Sequence, residues 1–255
     1  MPDPVIPVSA ASDGRRNLLA ACLLILLMGC GDDDAVSPAN PIFTTVALCT
    51  DLPDEAIARF EDLKLAAAIR IALSLGVQGD LTCGLVSGLT ELDAFSWGIA
   101  SLVGMQNLTS LTLLAIGNNS IVDAGPLSGL TRLTYLSFHN NSITDIDALS
   151  ELTSLTHLGL FNNSIADITA LGRLVHLRFL GLHNNYITDV GALSELTALT
   201  SLTLSSNPEL SDVEPLLANP GLGAGDEVSL RFTSVSCADV AALEAKGVTV
   251  LADCS

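Results

Sequence analysis

The stretch LTSLTHLGLFNNSIAD, residues 152–167, decides the fold, because its pattern returns every 22 residues along the middle of the chain. Each copy has the form L-x-x-L-x-x-L-x-[LIF]-x-x-N, and five copies follow in register, beginning at Leu108, Leu130, Leu152, Leu174 and Leu196. Only the fifth copy slips, gaining one residue around Pro208 and Glu209. A degenerate copy precedes them, opening at Leu89 and Leu92, with Trp97 in place of the asparagine. A repeat of this length indicates a solenoid of stacked units.

One unit of this repeat cannot bury its own apolar face, so neighbouring units have to stack and share a continuous core. Each unit offers a short strand with inward leucines, then a turn, then a compact return segment. The last asparagine of the template forms a column at these turns, where its amide can bond backbone groups that would otherwise be unpaired. These structural asparagines are Asn119, Asn141, Asn163, Asn185 and Asn207, and the residues before the first four (Asn118, Asn140, Asn162 and Asn184) are expected to face solvent.

A column of aspartates stands just after the turns. Each aspartate can accept backbone N–H groups at the start of the return segment, which is how a carboxylate caps a helical turn. Stacked carboxylates could instead hold calcium, which takes six to eight oxygen ligands. The sequence favours capping over metal binding for this column, which consists of Asp123, Asp145, Asp167, Asp189 and Asp212.

The repeat resembles the leucine-rich-repeat family, in the short 22-residue form found in internalin-like bacterial surface proteins. The resemblance covers residues 89–217, as one degenerate and five regular repeats. It implies an α/β fold: a right-handed solenoid with short parallel strands on its concave face, 3-10 or irregular return segments, and a cap at each end. It also implies contact with another protein.

A solenoid needs closed ends, since an open end exposes both core and strand edge. We expect a helical N-terminal cap over residues 46–88, with a helix that starts at Pro53 and ends near Gly76. The C-terminal cap, residues 218–255, is expected to hold a short helix from Cys237 to a stop at Gly247. A last strand over residues 248–251 should follow it.

Six cysteines occur in the chain, and four of them are available for disulfides in the mature protein. Four cysteines allow three pairings. We favour Cys49 with Cys83 and Cys237 with Cys254, because each of these bonds would staple one end of the chain. No Cys-x-x-Cys motif supports a zinc ribbon or thioredoxin chemistry.

The first 29 residues are typical of a secretory signal peptide, with Arg15 and Arg16 before a short apolar run that ends at Gly29. The ending Leu-Met-Gly-Cys resembles the lipobox of bacterial lipoproteins, which would make Cys30 the lipidated N-terminus. Residues 30–45 then form a polar tether. This predicts an exported protein, lipid-anchored at the cell envelope in the outer membrane or at the surface. An ordinary signal peptide and a twin-arginine signal are the alternatives.

Aromatic and histidine side chains concentrate at the strand positions that face the inner curve. Clustered exposed aromatics beside polar groups mark interaction surfaces. Stacking across strands to stabilise the sheet is the alternative. The candidate binding residues are Phe95, Tyr135, His139, His157, Phe161, Phe179 and His183. A metal site is not expected among them, because Phe161 separates His139 from His183.

The chain carries a net charge of −18, with ten Lys and Arg against 28 Asp and Glu. Nucleic-acid binding requires a basic face, so this composition excludes it, and a basic protein partner is expected instead. No nucleophile elbow, phosphate loop or catalytic triad is recognisable, so we expect neither an enzyme nor a cofactor. A protein-binding role is favoured, and binding of a polysaccharide or self-association in the envelope are the other candidates.

Overall fold

The computed structural model describes residues 48–254, so the predicted signal peptide, Cys30 and the tether up to residue 45 lie outside the described residues. Eight three-residue strands form one parallel sheet in chain order. They are β1 (Glu91–Asp93), β2 (Leu113–Ala115), β3 (Tyr135–Ser137), β4 (His157–Gly159), β5 (Phe179–Gly181), β6 (Ser201–Thr203), β7 (Glu227–Ser229) and β8 (Thr249–Leu251). The predicted α/β leucine-rich-repeat solenoid is confirmed.

The register of the sheet places equivalent residues of each repeat side by side. From β1 to β6 the paired residues are 22 positions apart, as in Leu136 opposite Leu158. Between β6 and β7 the spacing grows, with Ser201 opposite Glu227. The middle residue of each strand from β1 to β7 is buried, and residues on either side of it point to the other face of the pleat. Side chains of equal position therefore form straight rows across the strands.

The return segments are short 3-10 helices that start two residues after the aspartates of the column. In each case the aspartate Oδ1 accepts a backbone N–H, at 2.7–2.9 Å. The Thr169 hydroxyl and N–H also lower the pKa of the Asp167 carboxyl. The segments are Gly125–Leu127, Asp147–Leu149, Thr169–Arg173 and Gly191–Leu193, followed by helix α3 (Glu214–Ala218) in the last repeat, and Met105–Asn107 is a further 3-10 turn. These contacts are those of caps, and no metal-binding cluster occurs in residues 48–254.

The N-terminal cap contains helix α1 (Leu63–Ala72) and helix α2 (Cys83–Ser87), so the predicted helix start at Pro53 is wrong. The preceding backbone pairs with another segment instead: Ala58 N–H donates to Leu81 O, and Cys83 N–H donates to Ala56 O, both at 2.7 Å. Helix α1 begins only after Asp62, whose carboxylate accepts the N–H groups of the first turn. Long-range pairing thus outcompetes local helix formation before this residue.

The C-terminal cap consists of helix α4 (Cys237–Ala245) and strand β8. The Ser236 hydroxyl caps the helix, and Gly247 follows its end with a φ of +95°. Both favoured disulfides are formed, Cys49 with Cys83 and Cys237 with Cys254. No helix among the described residues is long and apolar enough to cross a membrane.

Candidate functional site

The asparagine column fixes the turn that follows each strand. Asn163 is buried, and its amide nitrogen donates to Leu160 O at 2.9 Å and to Phe138 O at 3.1 Å. Its Oδ1 accepts the Ile143 N–H of the preceding repeat at 3.0 Å. Asn119, Asn141, Asn185 and Asn207 make equivalent bonds. Each amide thus ties two neighbouring repeats together at the edge of the concave face.

The asparagine before each column residue has a role that the sequence analysis missed. Asn118, Asn140, Asn162 and Asn184 all lie in the left-handed region, with φ between 51° and 57°. Asparagine tolerates this conformation better than most residues, which is a signal that the sequence did contain. Three of these side chains also bond one another along the row, since Asn162 Nδ2 donates to Asn140 Oδ1 at 2.5 Å and Asn184 Nδ2 to Asn162 Oδ1 at 2.9 Å. Asn140 and Asn162 are accordingly half-buried, whereas Asn118 and Asn184 are exposed as expected.

Seven of the predicted face residues form two rows of rings across the strands. The first row consists of Tyr135, His157 and Phe179, on the first residues of β3, β4 and β5. The His157 and Phe179 rings are stacked at 4.4 Å between centroids, and Tyr135 is tilted against His157 at 5.9 Å. The second row lies four residues further along the chain and consists of Phe95, His139, Phe161 and His183. We call them the first and second ring rows.

Phe161 is the centre of the second ring row. The rings of His139 and His183 stack on its two faces, each at 4.3 Å between centroids with planes 13° apart. Phe95 is tilted against His139 at 5.8 Å, although β2 separates their strands. Gly117 makes this contact possible, because a Cβ on it would lie 2.6 Å from His139 Cε1. The glycine therefore leaves the space that the His139 ring occupies.

Small residues lie between the two ring rows. They are Ala115, Ser137, Gly159, Gly181 and Thr203, one from each strand from β2 to β6. The rings of the second row lean over them, since a Cβ on Gly181 would lie 3.3 Å from Phe161 Cδ1. The concave face therefore consists of two rows of rings with small residues between them, and the rings of the second row cover part of the backbone at those small residues.

His139 and His157 are held by hydroxyl groups, and their surroundings favour the neutral imidazole by lowering the pKa of each. Ser137 Oγ bonds His139 Nδ1 at 2.8 Å, and Thr156 Oγ1 bonds His157 Nδ1 at 2.9 Å. Burial lowers the pKa of His139, and the charge of His183 lowers it further. Burial also lowers the pKa of His157, with a second contribution from Arg178.

Tyr135 keeps its proton for similar reasons. Burial raises the pKa of its phenol and the charge of Asp93 also raises it, whereas a hydrogen bond with Ser137 opposes this shift. Tyr135, His139 and His157 therefore favour their neutral forms, and the ring rows present aromatic edges beside polar atoms.

Two cavities of the described residues lie at the ends of the solenoid, away from the ring rows. One of about 110 Å³ is lined by Leu230, Val240 and the C-terminal disulfide, and one of about 280 Å³ by Cys49, Gln106 and other residues near the N-terminal cap. The concave face itself is open. Such a face suits contact with a macromolecule better than enclosure of a small ligand.

Comparison with known proteins agrees with this geometry. The family model for leucine-rich repeats (2 copies) matches residues 106–151, 131–173 and 175–218. No curated protein sequence matches the chain. An internalin (inlF) from Listeria monocytogenes is 30% identical with a TM-score of 0.69, over 83% of this chain and 60% of that one.

Two other internalin structures from the same species are similar to the chain. Internalin C2 (inlC2) is 28% identical with a TM-score of 0.58, over 76% of this chain and 94% of that one. The functional domain of InlJ, which includes a cysteine ladder, is 28% identical with a TM-score of 0.61, over 72% of this chain and 39% of that one.

The fold and the family match define the class first: the chain is a leucine-rich-repeat solenoid. More particularly, it is an internalin-like leucine-rich-repeat protein, as the resemblance of its repeats implies, and it spans about 60% of the length of the inlF structure. Proteins with this fold generally mediate protein–protein interaction and are typically not enzymes.

Proposed function

We propose that this chain is a cell-envelope lipoprotein that binds a protein partner through its concave sheet. The observation that carries the proposal is the pair of ring rows, which place four aromatic residues and three histidines on a surface outside the core. Phe95 is 46% exposed and Phe179 is 39% exposed. Aromatic side chains that remain accessible on an ordered surface supply large contact areas at small entropic cost.

The rings are ordered before any partner arrives. Each strand is bonded to its neighbours, and the stacked rings and hydroxyl bonds restrict the histidine and phenylalanine rotamers. Binding then loses little side-chain entropy, which is the advantage of a preorganised surface. Stacking between strands and binding are therefore compatible, because the stack leaves ring edges free for contact.

The covered faces of Phe161 weigh against a polysaccharide ligand at the centre of the second ring row. Sugars stack on open aromatic faces, but both faces of Phe161 are occupied by histidine rings. The free edges and nitrogens suit the apolar and polar side chains of a protein better. A polysaccharide and a second copy of this chain remain outcomes of the test below.

A capture experiment with the full chain tests the concave site. The baits are the parent, Phe161→Asp with Phe179→Asp, and the matched control Val122→Asp with Val175→Asp, which also places two carboxylates at exposed apolar positions but outside the ring rows. Circular dichroism first establishes that the three baits fold alike. They then capture material from native envelope and neighbouring-cell extracts, read by mass spectrometry and glycan analysis.

A protein held by the parent and the control, and lost by the ring-row variant, supports the proposal. Equal capture by all three baits would sink the concave-site claim. Retention of glycan alone would support polysaccharide binding instead. Retention of this chain alone would support self-association.

The lipid anchor is the second part of the proposal and rests on the lipobox at Cys30, with residues 1–29 as signal peptide and 30–45 as tether. Acyl chains anchor a protein by burying methylene groups, each contributing roughly 0.8 kcal/mol. Metabolic labelling with an alkyne fatty acid should mark the parent but not Cys30→Ser, and the variant should leave the membrane fraction. An unlabelled parent would favour the ordinary signal peptide.

A further inference from the structure

The charge of the solenoid is distributed unevenly between the concave face and the rest of the molecule. Residues 48–254 include 23 Asp and Glu against eight Lys and Arg. On five successive strands, however, the concave segments carry no carboxylate at all. These segments, which we call the central patch, are residues 112–117, 134–139, 156–161, 178–183 and 200–205.

The one charged side chain of the central patch is Arg178, which directly precedes β5. It is exposed, and among the described residues the one salt bridge joins Arg173 to Glu151, so Arg178 has no carboxylate partner there. Its guanidinium lies close enough to lower the pKa of His157, whose ring is stacked on Phe179. An unpaired cation thus borders the first ring row.

Phe179 ends the first ring row with an accessible ring. One face stacks on His157, and the residue opposite it on the next strand is Ser201, whose side chain is too small to cover the other face. The open face and the Arg178 guanidinium belong to adjacent residues. Together they offer a flat apolar contact beside a donor fork that fits a carboxylate.

Acidic side chains return only at the two ends of the sheet. Glu91 and Asp93 lie on β1, and Asp226 and Glu227 lie at β7. Adjacent strands are about 4.8 Å apart, so β7 is roughly 10 Å from β5 and β1 roughly 19 Å. These separations exceed the Debye length of about 8 Å at physiological salt. Arg178, the residue adjacent to Phe179, is therefore its nearest charged neighbour in the sheet, whereas the carboxylates of β1 and β7 lie two or more strands away.

We propose that the central patch binds an acidic segment of its protein partner, with a carboxylate on Arg178 and a neighbouring aromatic side chain on Phe179. This deepens the proposed function and rests on it, and it differs from the basic partner that net charge alone suggests. A lysine or arginine placed over Arg178 and Phe179 would lose water beside a like charge and two strands from the nearest carboxylate of the sheet, which is costly.

Selection from a random 12-residue phage-displayed peptide library tests the proposal. The baits are the full chain, Arg178→Glu, and the matched control Arg132→Glu, which makes the same charge change at an exposed turn residue before β3. We expect the parent and the control to enrich peptides with Asp or Glu beside an aromatic residue several-fold over the unselected library. Arg178→Glu should lose that enrichment and gain Lys and Arg.

Peptides rich in Lys and Arg from the parent, or the same acidic peptides from all three baits, would overturn the proposal. Rebinding of the selected peptides to Phe161→Asp with Phe179→Asp distinguishes failure of the proposed charge preference from failure of the concave binding site itself. Basic peptides that lose binding to this variant would leave the concave site intact and remove only the charge preference. Peptides that bind this variant as well as the parent would remove the concave site, and no enrichment by the parent counts against both.

Discussion

At the scale of single residues, the asparagine column shows how one side chain can satisfy several backbone groups at once. Asn163 bonds four backbone groups at once, namely the Ile143 N–H and the carbonyls of Phe138, Leu160 and Phe161, and it is only 8% exposed. Asn163→Ala leaves the Ile143 N–H without its partner, whereas Phe138 O keeps its bond from Asn141 and Leu160 O keeps its bond from Asn185. We therefore expect a loss of about 2 kcal/mol in the free energy of unfolding. Urea denaturation measures it.

The adjacent residue provides the control for this prediction. Asn162→Gly keeps the left-handed backbone conformation without strain and removes two partly exposed side-chain hydrogen bonds, so a change within about 0.5 kcal/mol is expected. Equal losses for Asn163→Ala and Asn162→Gly would mean that the buried amide contributes no more to the free energy of unfolding than its half-buried neighbour.

His139 should make stability depend on pH. Its pKa is lowered in the folded protein, so the unfolded chain binds a proton at a pH where the folded chain does not. Stability is then complete above the unfolded value of about 6.5 and declines as pH falls through the folded value. His139→Phe keeps a ring in the second ring row but cannot titrate, so its thermal midpoint should fall less than that of the parent between pH 7.5 and 5.

An exposed histidine outside the ring rows is the control for this titration. His176→Gln should keep the parental difference between the two pH values. The assignment to His139 would be refuted if His139→Phe and the parent lose the same stability on acidification.

The sequence predicts the position of a residue well where equivalent residues recur in every repeat. It predicts poorly the role of a residue that occurs in one repeat alone. The period places Phe161 between His139 and His183, and the structure has them stacked in that order. The role of Arg178 was missed because it interrupts a column of threonines and has no repeat to draw attention to it. The role of Arg178 depends on the absence of carboxylates from the concave segments of four neighbouring strands. This absence becomes visible only when the strands are aligned side by side.

At the scale of secondary-structure elements, helix α1 depends on Asp62 for its start and for its attachment to the repeats. One carboxylate oxygen accepts from Lys64 N at 2.8 Å, and the other from Ala100 N at 2.8 Å. Burial raises the pKa of Asp62, but four backbone N–H groups lower it, and the net shift is downward. The side chain therefore caps α1 and also joins it to the first repeat by a hydrogen bond.

Asp62→Ala should cost about 1–2 kcal/mol of stability at pH 6. Because the folded pKa is lowered, this contribution is complete above the unfolded value of about 4 and declines as pH falls through the folded value. Urea midpoints of parent and variant should therefore converge on going from pH 6 to pH 3.5. Asp80→Ala, at an exposed position of the same cap, should show no such convergence.

Helix α1 also shows why the sequence placed the strands better than the cap. Strand positions follow from a pattern repeated in five units, whereas residues 53–62 occur once and have a locally helical composition. Their conformation is decided by pairing with residues 81–83, and such a contact between distant segments leaves no periodic signal.

At the scale of the whole molecule, stability in a solenoid is a sum over neighbouring units, so each end can open independently. The disulfide Cys237–Cys254 closes a loop with a sequence separation of 17, and Cys49–Cys83 one of 34. Each bond is worth roughly 3–4 kcal/mol in the chain-entropy model. The two bonds should therefore protect opposite ends of the sheet.

Cys237→Ser with Cys254→Ser should raise hydrogen exchange in α4 and β8 and leave β3 and β4 protected. Cys49→Ser with Cys83→Ser should raise exchange around α2 and likewise spare the middle strands. Mass spectrometry of peptic fragments measures both. Uniform exchange along the chain in either variant would show a single cooperative unit instead.

The alternation within each three-residue strand has a consequence for how such a protein changes over generations. The middle residue, such as Leu136 or Leu158, faces the core, while its neighbours face outward and contact mainly their counterparts in the same row. Mutations can therefore change the outward residues of the sheet while the leucines stay as they are. Duplication of the gene segment that encodes one 22-residue repeat adds a strand with one buried middle residue and two outward neighbours, so variation of the concave face and preservation of the core proceed on separate positions.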